Sequence, residues 1–295
     1  MNSLRLATRH LKPNTPRSIT TAKMADSNYR ISSIPDLPLY DLYSFPPFKN
    51  WLSTLQNSLA RQKSPSHEFH KDPYVLRHLE IQAADRFEGA RLGFVKLKAT
   101  VSNGRGETLP GSVFLRGGSV GMLLVLQPDD IANPTDNDKR AILTIQPRIP
   151  AGSLAFPEIP AGMLDDSGTF AGAAAKEIQE ETGLLVKQDD LIDMTALASQ
   201  ASQSSRDTSG ESLQKAMYPS AGGSDEFIPL FLYQKTMPRK DIEALQGKLT
   251  GLRDEGEKIT LKLVPLADLW KEGVRDGKTL AAWGLYQGLK SEGLL

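Results

Sequence analysis

The stretch GMLDDSGTFAGAAAKEIQEETGL, residues 162–184, crowds three glutamates into its last third. Alanine, lysine, glutamine and glutamate are good helix formers, and Gly183 suits the left-handed residue that follows the end of a helix. We therefore predict a helix over residues 169–182. Residues spaced i, i+3 and i+4 share one face of a helix, and this spacing relates Glu177, Glu180 and Glu181.

This acidic face is unfavourable by itself. Like charges one turn apart repel, and acids near the carboxyl end of a helix oppose its dipole. A divalent cation between the carboxylates would reverse the sign of the interaction, and carboxylates are ligands that Mg²⁺ and Mn²⁺ prefer. The helix taken alone leaves a second interpretation open, a solvated acidic surface with no ligand.

The composition is that of a globular protein. The chain has 295 residues, 39% hydrophobic and 24% charged, which suits one large domain or two modest ones. The formal net charge is zero, so no basic field indicates a nucleic-acid partner. No apolar run approaches the roughly 18 residues that a membrane span needs. We therefore expect neither nucleic acid nor membrane among the partners.

Two absences narrow the chemistry. The chain contains no cysteine, and its four histidines all lie at or before His78. Thiol nucleophiles, disulfides and thiolate zinc sites are therefore excluded, as is histidine chemistry in the later region. A metal on the acidic helix must bind to oxygen ligands, which favours a hard cation such as Mg²⁺, Mn²⁺ or Ca²⁺. His67 and His70 lie in a polar stretch and are interpreted as surface residues.

The first residues, 1–27, are basic and rich in serine and threonine, with no acid before Asp26. Arg5, Arg9 and Lys12 fall on one helical face, a pattern typical of organellar transit peptides. We predict a mitochondrial location. The alternatives are a disordered basic tail and a cytoplasmic product that starts at Met24.

The rest of the chain divides into two predicted modules, 28–110 and 111–295. The first is predicted to contain a helix over 48–62 and a strand over 91–102. Apolar runs rich in Val, Ile and Leu predict four further segments as strands: 112–127, 140–149, 227–235 and 258–266. A helix over 277–290 ends the chain. We interpret 150–168 as a Gly/Pro-rich link and the Ser/Gln-rich segment 199–214 as a mobile insertion.

The spacing within 162–184 resembles the Nudix box, Gly-x5-Glu-x7-Arg-Glu-U-x-Glu-Glu-x-Gly-U, where U is aliphatic. The matching residues are Gly162, Glu177, Ile178, Glu180, Glu181, Gly183 and Leu184. The box glutamate is replaced by Gly168 and the box arginine by Lys176. In the family those two side chains are thought to pair and brace the loop, so losing both removes the brace without leaving an unpaired partner.

This resemblance implies the fold class, a Nudix α/β/α sandwich with a mixed sheet, preceded by a smaller β-containing module. The order of strands and helices also favours an α/β sandwich over a doubly wound sheet, because GxGxxG and P-loop patterns are absent. The resemblance assigns metal binding to Glu177, Glu180 and Glu181, and counts Glu180 among the catalytic groups.

Residues 146–164, QPRIPAGSLAFPEIPAGML, are similar to a segment of ADP-ribose and ADP-sugar pyrophosphatases. The length and the motif set of the whole chain resemble those of the plant-type ADP-sugar diphosphatases most. The resemblance implies that Arg148, Glu158 and Gly162 contact the substrate. It also implies that the Ala161 carbonyl completes the coordination of a metal ion. A solvated strand-end charge is the alternative for Arg148.

The loop YPSAGGSDEF, residues 218–227, is similar to one that carries the catalytic base in those enzymes. It implies that Glu226 accepts a proton from the attacking water, with Asp225 beside the substrate; a turn acid before a strand is the alternative. A carboxylate on a Gly-rich loop suits that task, because it acts only once substrate closes the site.

The resemblance as a whole implies Mg²⁺-dependent hydrolysis of ADP-ribose or ADP-glucose to AMP and a sugar phosphate. In relatives the N-terminal portion pairs two subunits, which implies a homodimer here. Two alternatives stay open. One is a Nudix hydrolase for another substrate such as UDP-glucose, NADH or FAD, and the other is a non-catalytic nucleotide-sensing module.

Overall fold

The computed structural model describes residues 20–22, 28–87, 91–164, 169–202, 210–252 and 258–295. They form two compact units: the described residues up to Lys49 with Leu59–Phe114, and Asn50–Ser58 with Leu115–Leu295. The predicted domain boundaries stay a prediction. The predicted transit peptide, residues 1–27, lies outside the described residues except for Thr20–Ala22.

The N-terminal part of the chain contains a six-stranded sheet and two helices. Its elements are β1 (Thr20–Ala22), β2 (Arg30–Ser33), α1 (Leu39–Ser44), α2 (Pro46–Arg61), β3 (Val75–Arg86), β4 (Leu92–Ser102), β5 (Thr108–Leu109) and β6 (Ser112–Leu115). The strand order is β1-β2-β3-β4-β5, with β6 also paired to β4. Strands β2 and β3 are parallel. The expected β-containing module is thus confirmed as a sheet.

Strand β4 was predicted from its alternation, and strand β3 was missed. In β4 the buried Val95, Leu97 and Ala99 alternate with the exposed Lys96 and Lys98, as expected of a half-buried strand. The pairing of β3 with β4 shifts register at three places. Each irregularity interrupts the two-residue period, so β3 lacks the pattern by which a strand is recognised.

The second unit is built on an eight-stranded sheet. Its elements are β7 (Ser119–Pro128), β8 (Arg140–Arg148), β9 (Ser153–Glu158), β10 (Ala161–Met163), α3 (Phe170–Thr182), β11 (Ile192–Asp193), α4 (Met194–Ser202), β12 (Leu230–Met237), α5 (Arg239–Glu243), β13 (Leu249–Thr250), β14 (Ile259–Pro265), α6 (Leu269–Glu272) and α7 (Gly277–Ser291). The strand order is β11-β12-β7-β8-β14-β13, with β10 paired to β7 and β9 to β8. Strand β12 runs parallel to β7, whereas the other pairs are antiparallel, so the sheet is mixed as predicted.

Helices cover both faces of this sheet. On one face Met122 and Leu124 of β7 pack in one cluster with Ala174 and Ile178 of α3. On the other face residues of β7 that point the opposite way pack with helices α4 and α7. Each buried apolar side chain contributes roughly 1.5–3 kcal/mol, so these two cores hold the layers together. The α/β/α sandwich is confirmed.

Three segments differ from expectation. The strand predicted over 112–127 is divided into β6, which pairs with β4 in the six-stranded sheet, and β7 of the eight-stranded sheet. The predicted link 150–168 contains β9 and β10, whose short lengths and prolines hide the strand pattern. The predicted mobile insertion 199–214 begins inside helix α4, which ends at Ser202; its residues 203–209 lie outside the described part of the chain. None of the described helices is both long and apolar enough to span a bilayer.

Candidate active site

Helix α3 begins and ends where the sequence predicts. The Thr169 hydroxyl accepts a hydrogen bond from the Gly172 N–H at 3.1 Å, and Gly183 follows the helix with a φ of 75°. The apolar face of α3, with Ala174 and Ile178 fully buried, anchors it on the sheet. The glutamates are therefore carried by a helix whose position is set by both ends and by its core face.

Gly162 makes room for Glu177. A β-carbon built at Gly162 would lie 1.8 Å from the Glu177 Cδ and 1.9 Å from its Oε1. No larger residue fits at this point of β10 unless the Glu177 side chain moves. The structure thus gives Gly162 a packing role toward the acidic helix, and its predicted contact with substrate stays a prediction.

Glu181 is buried beside the same strand. The residue is only 5% exposed. Its Oε2 accepts a hydrogen bond from the Ala161 N–H at 3.0 Å, and its Oε1 accepts one from Gln146 Nε2 at 3.4 Å. Burial, and then the charge of Glu177, raise the pKa of the Glu181 carboxyl to about 8. The chain therefore keeps an acid where a negative charge is poorly solvated, which favours a cation as its partner.

Glu180 completes the predicted set of ligands and is half-buried. Among the described residues, no three Asp, Glu or His side chains lie close enough together to form a ready-made metal site. The oxygen donors nevertheless suit a hard divalent cation, because the buried Glu181 carboxyl contacts Ala161 and the Glu177 carboxylate lies against Gly162, the next residue of the same strand. The groups that could hold the cation are the side chains of Glu177, Glu180 and Glu181 and the Ala161 carbonyl.

Arg148 and Glu158, both predicted to contact substrate, contact each other. The Arg148 Nε donates to Glu158 Oε1 at 2.6 Å. The Glu158 side chain is 3% exposed and that of Arg148 is 40% exposed, so the arginine is the member of the pair that reaches solvent. The other Glu158 oxygen pairs with Lys278 of α7. The predicted contact between Glu158 and substrate stays a prediction.

Asp225 holds a turn. Its Oδ1 accepts the backbone N–H of Arg116 at 2.8 Å and that of Gly117 at 3.2 Å, in the loop between β6 and β7. Burial raises the pKa of the Asp225 carboxyl, and these backbone donors oppose the shift. This arrangement indicates that Asp225 shapes the loop, while its predicted place beside the substrate stays a prediction.

Glu226 is held by two side chains. Its Oε1 accepts the Ser119 hydroxyl at 3.0 Å and forms an ion pair with Arg116 Nη1 at 3.1 Å. The Arg116 Nε is buried and has no hydrogen-bond partner among the residues that the structure describes. Arg116 thus contacts both members of the acidic pair, Asp225 through its backbone and Glu226 through its side chain.

These groups meet at the start of β7. Ser119 of β7 lies opposite Met163 of β10, so the loop of Glu226 is tied to the sheet two residues from Ala161. Glu158 raises and Arg148 lowers the pKa of Glu181, which places that pair within electrostatic range of the acidic helix. The sequence-predicted site residues of the sheet and of α3 therefore lie together.

Four residues of this region were not among the predicted site residues: Ser119, Arg116, Gln146 and Lys278. Gln146 precedes Arg148 by two positions, and alternate residues of a strand share a face, so this signal was available. Arg116 precedes the Gly117–Gly118 turn, a weaker hint. Lys278 has no local signal, because its partner Glu158 is 120 residues away.

The expected loss of a brace involves Gly168, which lies outside the described residues.

A two-core sandwich with an acidic helix laid against a glycine-containing strand is the architecture of a Nudix hydrolase. The model of the NUDIX domain matches residues 127–283 of this chain. That match covers more than half of the sequence, from β7 into α7. The chain belongs to the Nudix hydrolase family.

The chain is also similar to individual proteins. Nudix hydrolase 14, chloroplastic, from Arabidopsis thaliana is 35% identical over 287 residues, which cover 96% of this chain and 81% of that protein. A crystal structure of an ADP compounds hydrolase is 17% identical and covers 75% of this chain and 99% of its own, with a TM-score of 0.44.

Proposed function

We propose that this Nudix hydrolase cleaves the diphosphate bond of ADP-sugars, ADP-ribose and ADP-glucose, to AMP and a sugar phosphate, with Mg²⁺ as cofactor. The observation that carries the proposal is the placement of Glu177 and Glu181 against β10, beside Gly162 and Ala161. The choice of an ADP-sugar rests on the sequence similarity of residues 146–164 to ADP-sugar pyrophosphatases.

The donor set proposed for the metal is Glu177, Glu180, Glu181 and the Ala161 carbonyl. Mg²⁺ is the preferred ion because all four donors are oxygens, and Mn²⁺ is the alternative. A divalent cation bound there would neutralise charge on the diphosphate and lower the pKa of a bound water.

The protein's own side chains then divide the remaining work. Arg148, whose side chain is 40% exposed, is proposed to hold the phosphate or terminal sugar end of the substrate. Glu226 accepts the proton of the attacking water. Within the described part of the chain both Ser119 and Arg116 contact its Oε1, so Oε2 is the oxygen left to accept the proton. The water oxygen bonds to one phosphorus and the bridging P–O bond breaks, so no covalent enzyme intermediate forms. Glu180 stays the second candidate for the catalytic carboxylate.

The test is a panel assay of the purified full chain with Mg²⁺. ADP-ribose, ADP-glucose, UDP-glucose, NADH and FAD are compared at equal concentration, and AMP, UMP and sugar phosphate are quantified. We expect hydrolysis of ADP-ribose or ADP-glucose at the highest kcat/KM. Failure to cleave either compound, while another is cleaved, would overturn the substrate assignment.

Two further proposals concern the whole chain. The N-terminal part is proposed to pair two copies into a homodimer, which light scattering coupled to size-exclusion chromatography would test. Residues 1–23 are proposed to direct the chain to an organelle. The Arabidopsis relative carries "chloroplastic" in its name, so imaging of fusions with and without residues 1–23 should score mitochondria, chloroplasts and cytoplasm.

A further inference from the structure

Four charged side chains of alternating sign form a row of ion pairs, from Asp276 just before helix α7 to the solvent-facing Arg148. Arg148 pairs with Glu158, Glu158 with Lys278, and Lys278 with Asp276 at 3.1 Å. The positive and negative charges balance within this row. Only its outer end, Arg148, has a substantially exposed side chain, because Lys278 is 12% exposed and Glu158 is 3% exposed.

The inner end of this row of ion pairs, Asp276, is fixed. Asp276 precedes α7 and accepts hydrogen bonds from the N–H groups of Lys278 and Thr279. The Thr279 hydroxyl donates to Asp276 Oδ2 at 2.5 Å and accepts the N–H of Ile159 at 3.0 Å. The first turn of α7 is therefore tied to the residue that follows Glu158, so Lys278 and Glu158 are held at a set separation.

The burial of the Glu158 carboxylate determines the role of Lys278. A carboxylate taken out of water needs partners for both of its oxygens, and Glu158 has one cation on each. With Lys278 on Oε2, the carboxylate is prevented from rotating, and Oε1 is presented to the Arg148 Nε. Among the described residues, only Glu158 hydrogen-bonds to the Arg148 side chain, so the two terminal nitrogens of the guanidinium are left for a ligand.

We propose that Lys278 is a positioning residue, which orients Arg148 toward the substrate by fixing the Glu158 carboxylate between two cations. It does not touch the substrate itself, since its ammonium group is enclosed by Glu158 and Asp276. This inference deepens the proposed function and rests on it for the identity of the substrate. It also makes the last helix part of the recognition of substrate.

The first readout does not depend on activity. In the full chain labelled with ¹⁵N, the Nε–H resonance of Arg148 is assigned by its loss in Arg148→Lys, and Lys278→Met is expected to shift or broaden it. Lys262→Met is the matched control, because Lys262 pairs with Glu272 at 2.5 Å on the exposed surface. An unchanged Arg148 resonance in Lys278→Met would overturn the proposal.

Kinetics with ADP-ribose supply the second readout. We expect Lys278→Met to raise KM roughly tenfold with kcat changed much less, since indirect partners of a binding group affect affinity by about 10–100-fold. The double variant Arg148→Lys/Lys278→Met should be no worse than Arg148→Lys alone. Independent, multiplying losses in the double variant would show that Lys278 does not act through Arg148.

Two outcomes are kept apart by this design. If the wild-type chain cleaves no ADP-sugar, the proposed function fails, while the Arg148 resonance still tests the positioning role. Should Lys278→Met fail to fold, Lys278→Gln retains a donor toward Glu158 and is measured in its place. A variant with a lowered melting temperature but an unchanged resonance and unchanged KM would mean a purely structural role, and would refute the proposal.

Discussion

The carboxyl group of Glu177 occupies the space into which a side chain at Gly162 would project. Gly162→Ala is therefore expected to displace Glu177 while the two cores of the sandwich stay intact. Because a displacement of about 1 Å can cost a hundredfold in rate, we expect a loss of about that size in kcat/KM. Gly284→Ala, at an exposed position of α7 with open space around it, is the control and should leave activity unchanged. Wild-type rates in Gly162→Ala would contradict this role.

The raised pKa of Glu181 predicts how stability depends on pH. In the metal-free chain the folded carboxyl keeps its proton up to about 8, whereas the unfolded one loses it near 4.5. Between these values the folded state binds more protons, so the free energy of unfolding should fall as pH rises from about 5 to about 8. Urea unfolding in EDTA at several pH values measures this slope, and Glu181→Gln should reduce it. Equal slopes in both proteins would count against the assignment.

The same carboxyl must lose its proton to bind a cation. Mg²⁺ binding near pH 7 is therefore expected to release protons and to strengthen as pH rises toward 8. Calorimetric titration in two buffers of different ionisation enthalpy measures the proton release, which should disappear in Glu181→Gln. We expect that variant to lose turnover while it keeps its fold, and unchanged turnover would refute the metal role of Glu181.

For the proposed base, Glu226→Gln should lower kcat by about 10²- to 10⁴-fold, the usual contribution of a positioned proton acceptor. Glutamine keeps the contact with Ser119 but does not accept the proton from water. The affinity for Mg²⁺, measured by calorimetry, should change little. A variant that loses metal binding instead would place Glu226 among the metal ligands.

Arg116 is expected to act through Glu226. Arg116→Met removes the ion pair at 3.1 Å but keeps the backbone N–H that Asp225 accepts, so the loop should persist while the Glu226 carboxylate loses one of its two holds. We expect kcat to fall roughly tenfold with unchanged Mg²⁺ affinity. Arg239→Met breaks the exposed pair with Asp130 and serves as the control, since exposed pairs contribute little. Equal rates for the two variants would remove Arg116 from the mechanism.

Local patterns predicted those helices and strands whose apolar side chains repeat regularly along the sequence or form one continuous apolar run. Helix α3, with its Gly183 end, and the apolar strands β7, β8, β12 and β14 all belong to this group. Strand β3 escaped because its bulges break the alternation, and β9 and β10 escaped because they are short and contain or adjoin proline. These failures share one cause: the pairing partner, not the segment itself, decides the conformation.

The candidate site shows the same division. Glu177, Glu180 and Glu181 could be found from spacing, and Arg148, Glu158 and Glu226 from similarity to a family. Neither route indicates that Glu158 is shared by Arg148 and Lys278, because that contact joins residues 120 positions apart. Arg116 and Glu226 likewise meet only when β7 and the loop before β12 come together.

The parallel pairing of β12 with β7 also has a consequence for biosynthesis. A ribosome releases α3 well before Leu230, yet Phe231 and Tyr233 of β12 share the core on which that helix packs. During this interval the β7 edge that faces Leu230 to Met237 has no partner, and contacts so distant in sequence form slowly. An apolar strand with an open edge recruits other chains. We therefore expect products of premature termination before Leu230 to aggregate, and nascent chains to need protection by chaperones until β12 has emerged.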